Sequence, residues 1–145
     1  MKKYTQWLLV GYIAFVFIQS LFFKFSGSEE TVIIFNTIGE WMASIGLPAG
    51  FASAFAEHGG NVVGTTELIA SFLLFFAATR LIGAVLSFGV ISGAIFFHLF
   101  TPLGVNRVVD AAGNTDGGVL FYMACGVWVC SLILIILNRP GAGEQ

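Results

Sequence analysis

The sequence predicts an all-α fold, a four-helix transmembrane bundle with N-in/C-in orientation and short interfacial helices in the first outer loop. Three observations carry this. Charged residues make up 10% of the 145-residue chain, where a soluble domain carries about 25%. Hydrophobic residues are 57% and aromatic residues 15%, with a mean hydropathy of +0.92. A small domain leaves too much of itself exposed to hide that much apolar surface from water. Finally, the apolar residues fall into four runs, each near the roughly 20 residues that a spanning helix requires.

The first run covers about 4–25, the second about 62–79, the third about 81–100 and the fourth about 119–137. Lys2 and Lys3 ahead of the first run resemble a signal peptide, but the run is long and Lys24 stands where small cleavage-site residues would be needed. It reads as a retained helix. Little more than Arg80 separates the second run from the third, so a tight turn is expected there. The four helices, two longer connections and a polar tail make one domain, 1–145. Lys2, Lys3, Arg80 and Arg139 share one side, while Lys24 and Arg107 fall on the other. The excess of basic residues marks the cytoplasmic face, which sets both termini inside.

Between about 30 and 57, Val32, Ile33, Phe35, Ile38, Trp41, Met42 and Ile45 recur at helical spacing. Gly46 should end that segment, and Pro48 suits the first turn of another. Each piece is too short to span. They read as a pair of interfacial helices, and a lid dipping between the spans stays open as an alternative. His58-Gly59-Gly60-Asn61 reads as a break before the second span, Pro102 and Gly104 as a stop to the third, and 114–118 as turn chemistry before the fourth. Gly89 and Gly93 form a GxxxG in the third span, which serves either helix packing within the chain or a homodimer seam.

Polar residues within spans are expensive and face the protein interior or a wet cavity. Lys24 lies at the outer end of the first span and Gln19 deeper. Glu67 lies about six residues into the second, roughly 9 Å at helical rise. His98 is at the outer end of the third span, and Asp116 immediately precedes the fourth. The candidate polar cluster is therefore Gln19, Lys24, Glu67, His98 and Asp116, all toward the outer face, with an almost purely apolar inner half. A carboxylate in a span is either protonated or paired, and Lys24 is the available partner for Glu67. That pair is either a structural clasp or part of a binding site. Asp116 suits an N-cap of the fourth helix. No metal site is expected: His98 has only His58 as a companion histidine. Cys125 and Cys130 lie about 140° apart around one helix and read as buried small apolar residues, leaving no thiol relay. A net charge of −2 gives no basic footprint for nucleic acid.

The run Phe22-Phe23-Lys24-Phe25 closing the first span, the Gly-rich approach to Glu67-Leu68-Ile69-Ala70, and a Gly- and Ala-rich third span resemble the DoxX-like family of small bacterial membrane proteins, over nearly the whole chain. Lys24 and Glu67 match the characteristic polar positions of that family. The resemblance implies a four-helix bundle in the bacterial cytoplasmic (inner) membrane and association with membrane-bound redox complexes. The sequence itself carries no haem, flavin, dinucleotide or CxxC motif, so a redox role would require a lipid-soluble quinone or a cofactor held by a partner subunit. The expected function is an accessory or quinone-associated membrane subunit with a polar pocket at the outer face. The alternatives are a small membrane enzyme acting on a lipid-soluble substrate with Glu67 or His98 as acid/base, and a proton-coupled carrier.

Overall fold

The computed structural model describes residues 2–142. Among them are five α-helices and no strand: α1 (Lys2–Phe25), α2 (Glu29–Ser44), α3 (Ala49–Phe75), α4 (Arg80–Phe100) and α5 (Val119–Asn138). Three of these, α1, α4 and α5, are long and apolar enough to cross a membrane. Their sequences are predominantly apolar, and large side chains of the helices such as Leu8, Phe15, Phe22, Phe72 and Ile136 stand on the outside of the molecule. An exterior of this kind fits hydrocarbon rather than water, as a membrane protein requires.

The second span departs from expectation. Instead of starting near Val62 after a break, α3 runs unbroken for 27 residues from Pro48 as its N-cap. The stretches expected as a second interfacial segment and as the second span are one helix, which ends at Phe75, short of Thr79. His58, Asn61 and Glu67 dilute its hydropathy, so α3 is not among the helices apolar enough to span by composition. The expected break at His58–Asn61 is helical because its glycines are used for packing. A Cβ on Gly59 would lie 2.7 Å from Phe35 Cδ1, and one on Gly60 would lie 3.1 Å from Thr31 Cγ2. Burial of Phe35 against this flat strip outweighs the weak helix propensity of glycine, about 1 kcal/mol per residue.

The α2 helix begins where the Ser28 side chain accepts from the Thr31 N–H at 3.2 Å. It ends before Gly46, whose φ of 90° is available to glycine without steric cost. It packs antiparallel along the first half of α3: a Cβ on Gly39 would meet Ala56 Cβ at 2.9 Å. Ile38 and Met42 of α2, Ala52 of α3 and Leu103 form a small core, with Trp41, Phe55 and Phe97 packed against it.

The main core joins Val10, Ile13 and Phe17 of α1, Ala70 and Leu74 of α3, Ala84 and Ile91 of α4, and Val127 and Leu134 of α5. The α1 helix packs on α3 and α5, and α4 packs on the same two. The α3–α4 contact is made by Gly83, where a Cβ would lie 2.8 Å from Leu74 N and 3.0 Å from Ala70 O. The GxxxG glycines serve no such purpose: around Gly89 and Gly93 nothing lies within 4 Å of a Cβ. The expected packing role within the chain therefore belongs to Gly83. Cys125 and Cys130 are free and half-buried rather than buried.

Two ends of the molecule are fixed by polar contacts. At one, Arg80 donates from Nε to Leu74 O at 3.0 Å and from a terminal nitrogen to Gln6 Oε1 at 2.8 Å. Its guanidinium sits 5.0 Å from the Trp7 ring centroid. At the other end, the 101–118 connection folds back on itself. Val108 and Thr115 form an isolated antiparallel bridge, and Val109 N–H donates to Asn114 O at 2.8 Å. Glu29 of α2 accepts from the Ala111 N–H at 2.8 Å.

Candidate functional site

All five helices and the 101–118 connection line a half-open cavity of about 700 Å³, within the roughly 300–1,000 Å³ of sites for drug-sized ligands. Most of its wall is apolar, with Phe15, Ile34, Phe55, Val90 and Phe97 among the contributors. Gly89 and Gly93 line it, so the missing side chains of the GxxxG give it room. Gln19, Lys24, Glu67, His98 and Asp116 all line this one cavity.

Helical spacing brings the first polar group together. Ser20 and Lys24 are four residues apart on α1 and so share a face, which is turned toward Glu67 on α3. Lys24 Nζ lies 2.9 Å from Glu67 Oε2 and donates to Ser20 Oγ at 2.8 Å, while Ser20 Oγ donates to the same carboxylate oxygen at 3.0 Å. Glu67 is 5% exposed, so the carboxylate is held by these partners rather than by bulk water. The pair couples α1 to α3. A smaller pocket of about 240 Å³, lined by Ser26, Glu57 and Asn61, shares Lys24 with the main cavity.

His98, in the last turn of α4, is buried. Its Nδ1 lies 2.7 Å from Gly104 O. A carbonyl can only accept, so Nδ1 carries the hydrogen. The ring also meets Phe121 edge-on, with centroids 5.7 Å apart. The one hydrogen bond of the ring among the described residues is that from Nδ1.

Asp116 differs from its expected role. The N-cap of α5 is Gly118, at φ 85°, and the Asp116 carboxylate accepts from the N–H groups of Gly118 at 2.8 Å and Leu120 at 3.4 Å. It caps the helix start from two residues upstream and also faces Arg107, whose Nε lies 3.1 Å from Asp116 Oδ2. On its other side Arg107 pairs with Glu30 of α2. Arg107 is 3% exposed. Burial pushes its pKa below the usual guanidinium value, and the Asp116 charge acts in the opposite direction.

Arg107, expected only as an outer-side charge, and Glu30 and Ser20, which stand outside the expected cluster, thus belong to the site. Two signals pointed to them. No basic residue lies between Ser26 and Thr79 to balance Glu29 and Glu30, and Arg107 is the lone cation of its connection. Ser20 was visible only as the residue one turn before Lys24. Gln19 lines the cavity, and its side chain makes no hydrogen bond to the cluster among the described residues. His58 is exposed on α3, away from His98. Among the described residues, no group of three or more His, Cys, Asp or Glu side chains could hold a metal ion.

No family model matches the chain, and no curated protein or solved structure matches it either.

Proposed function

We propose that this chain is a DoxX-like protein of the bacterial inner membrane in which α1, α3, α4 and α5 form a four-helix transmembrane bundle. In this reading it serves as a quinone-associated, accessory membrane subunit of a redox complex, holding a lipid-soluble amphiphile in the cavity. The observation that carries the reading is the cavity itself, about 700 Å³, apolar over most of its wall and polar at one end. Apolar walls suit an isoprenoid tail, and convergent polar groups suit a ring that bears oxygen. Both termini lie inside in this reading. In its support, Lys2, Lys3 and Arg80 lie toward one end, where Arg80 reaches Gln6, while Lys24 and Arg107 lie at the end of the polar cavity. That distribution obeys the preference for basic residues in the cytoplasm. The bundle would anchor partner subunits, and the lipid-facing side of α4 is a candidate homodimer seam.

The test is to purify the protein from its membrane and extract its lipids. A quinone retained near one per chain is the expected result. Gly93→Phe, placed where nothing within 4 Å opposes a new side chain, should keep the fold and release the quinone. Loss of nothing in that variant, or no quinone in the parent protein, sinks the reading.

A second reading is supported by the His98 ring, which the Gly104 carbonyl orients through Nδ1 and which lines the cavity. This is how an acid/base histidine is held. Glu67 and His98 would then act on a substrate dissolved in the bilayer. A carrier function finds less support, because the polar groups cluster at one end of the cavity.

A further inference from the structure

The polar end of the cavity restricts what it can hold in two ways. The first is charge. Two cations, Lys24 and Arg107, and three anions, Glu30, Glu67 and Asp116, line it, a formal sum of −1 over these five side chains. Each cation sits beside a carboxylate: Lys24 is engaged by Glu67, and Arg107 lies between Glu30 and Asp116, with its Nη1 buried and without a hydrogen-bond partner, so that a hydroxyl oxygen could accept from it. A carboxylate or phosphate head entering here would find a carboxylate already beside each cation. In a poorly screened interior that repulsion is strong.

The second is hydrogen-bonding polarity. The His98 Nδ1 hydrogen is directed to Gly104 O, and an imidazole carrying its one hydrogen there offers Nε2 as an acceptor. A hydroxyl satisfies it. A carbonyl oxygen presented at the same place sets acceptor against acceptor and leaves both unsatisfied.

Resting on the reading that this cavity takes a lipid-soluble amphiphile, we propose that it selects a neutral head bearing a hydroxyl, a phenol or hydroquinone, over the matching carbonyl compound and over anionic lipids. His98 Nε2 accepts the hydroxyl hydrogen. The paired carboxylates repel anionic heads, so specificity comes from a repulsive element as well as an attractive one. The fatty acids and acidic phospholipids that share the bilayer are thereby kept out.

Three probes decide the matter with the full chain in nanodiscs of neutral phosphatidylcholine: decyl hydroquinone kept reduced by exclusion of air, the matching decyl quinone, and palmitate. Binding is read by calorimetric titration. The hydroquinone is expected to bind about tenfold or more tightly than the quinone, the scale of one well-made against one unsatisfied buried hydrogen bond. Palmitate should show no saturable binding over the same range. His98→Phe should bring the two ring forms to equal affinity by weakening the hydroquinone, and if that variant does not fold, the comparison in the parent protein still decides. Equal affinity of the two ring forms in the parent, or palmitate binding as tight as the hydroquinone, overturns the selectivity while leaving the amphiphile reading intact. Absence of saturable binding by all three probes overturns both.

Discussion

Glu67 receives the Lys24 ammonium at 2.9 Å and the Ser20 hydroxyl at 3.0 Å on the same carboxylate oxygen. One α3 side chain thus gathers two residues of α1 at the wall of the cavity. Removing one member of a buried ion pair leaves an uncompensated charge and costs about 3–5 kcal/mol. Lys24→Met should therefore lower the melting temperature in detergent sharply. Lys24→Met combined with Glu67→Gln should recover most of that loss. If the pair serves the site, the double variant will be stable yet empty of quinone. If the double variant regains both stability and quinone, the pair is only a clasp.

Arg107 joins three parts of the chain: its own connection, α2 through Glu30, and the start of α5 through Asp116. Arg107→Leu should destabilise by about 3–5 kcal/mol, because two carboxylates lose their shared cation. Adding Glu30→Gln and Asp116→Asn should reverse much of that loss. Limited proteolysis of the 101–118 connection gives the readout. Unchanged resistance in Arg107→Leu would show that the guanidinium does not hold this connection in place.

The two kinds of glycine on α4 should respond in opposite directions to the same substitution. Gly83→Ala forces a methyl to within 2.8 Å of backbone on α3, so the helices must separate, at about 1–3 kcal/mol. Gly89→Ala meets nothing within 4 Å and should gain about 0.5–1 kcal/mol from helix propensity. Thermal melts of the two variants side by side check this. Equal melting temperatures would remove Gly83 from the α3–α4 contact.

Asp110 supplies a pH dependence in the 101–118 connection. Hydrogen bonds from the Asn114 side chain and then its backbone N–H hold the Asp110 pKa below its ordinary 3.8. A carboxylate with a depressed folded-state pKa contributes stability above its unfolded value, and that contribution is lost as pH falls through the folded value. The Asn114 amide should therefore exchange faster with solvent as pH drops below about 3.8, after correction for intrinsic exchange. Asn114→Ala, which removes the side-chain bond and keeps the backbone one, should reduce the extra acceleration. A corrected rate in the parent chain that ignores pH would contradict the assignment.

What the sequence made legible follows from how local each signal is. The helices α1, α4 and α5 lie within two residues of the expected runs 4–25, 81–100 and 119–137, because an unbroken apolar stretch determines its own extent. The α3 helix was misjudged because Gly59, Gly60 and Asn61 are weak helix formers. The contact of Gly59 and Gly60 with Phe35 involves a separate helix and cannot be read from spacing. Lys24 and Glu67 announced themselves by the expense of charge inside a span. Arg107 gave no such signal, since its burial depends on a connection folding back through the Val108–Thr115 bridge onto α2. Asp116 was legible as a capping residue, but its position two residues before the cap depends on the left-handed backbone of Gly118.

The bare stretch of α4 at Gly89 and Gly93 separates capacity from cohesion. The residues that fasten this helix to its neighbours are elsewhere along it, at Gly83, Ala84 and Ile91. Chains sharing this architecture could therefore widen or narrow their hold on cargo by a change at either glycine, while the scaffold stays as it is.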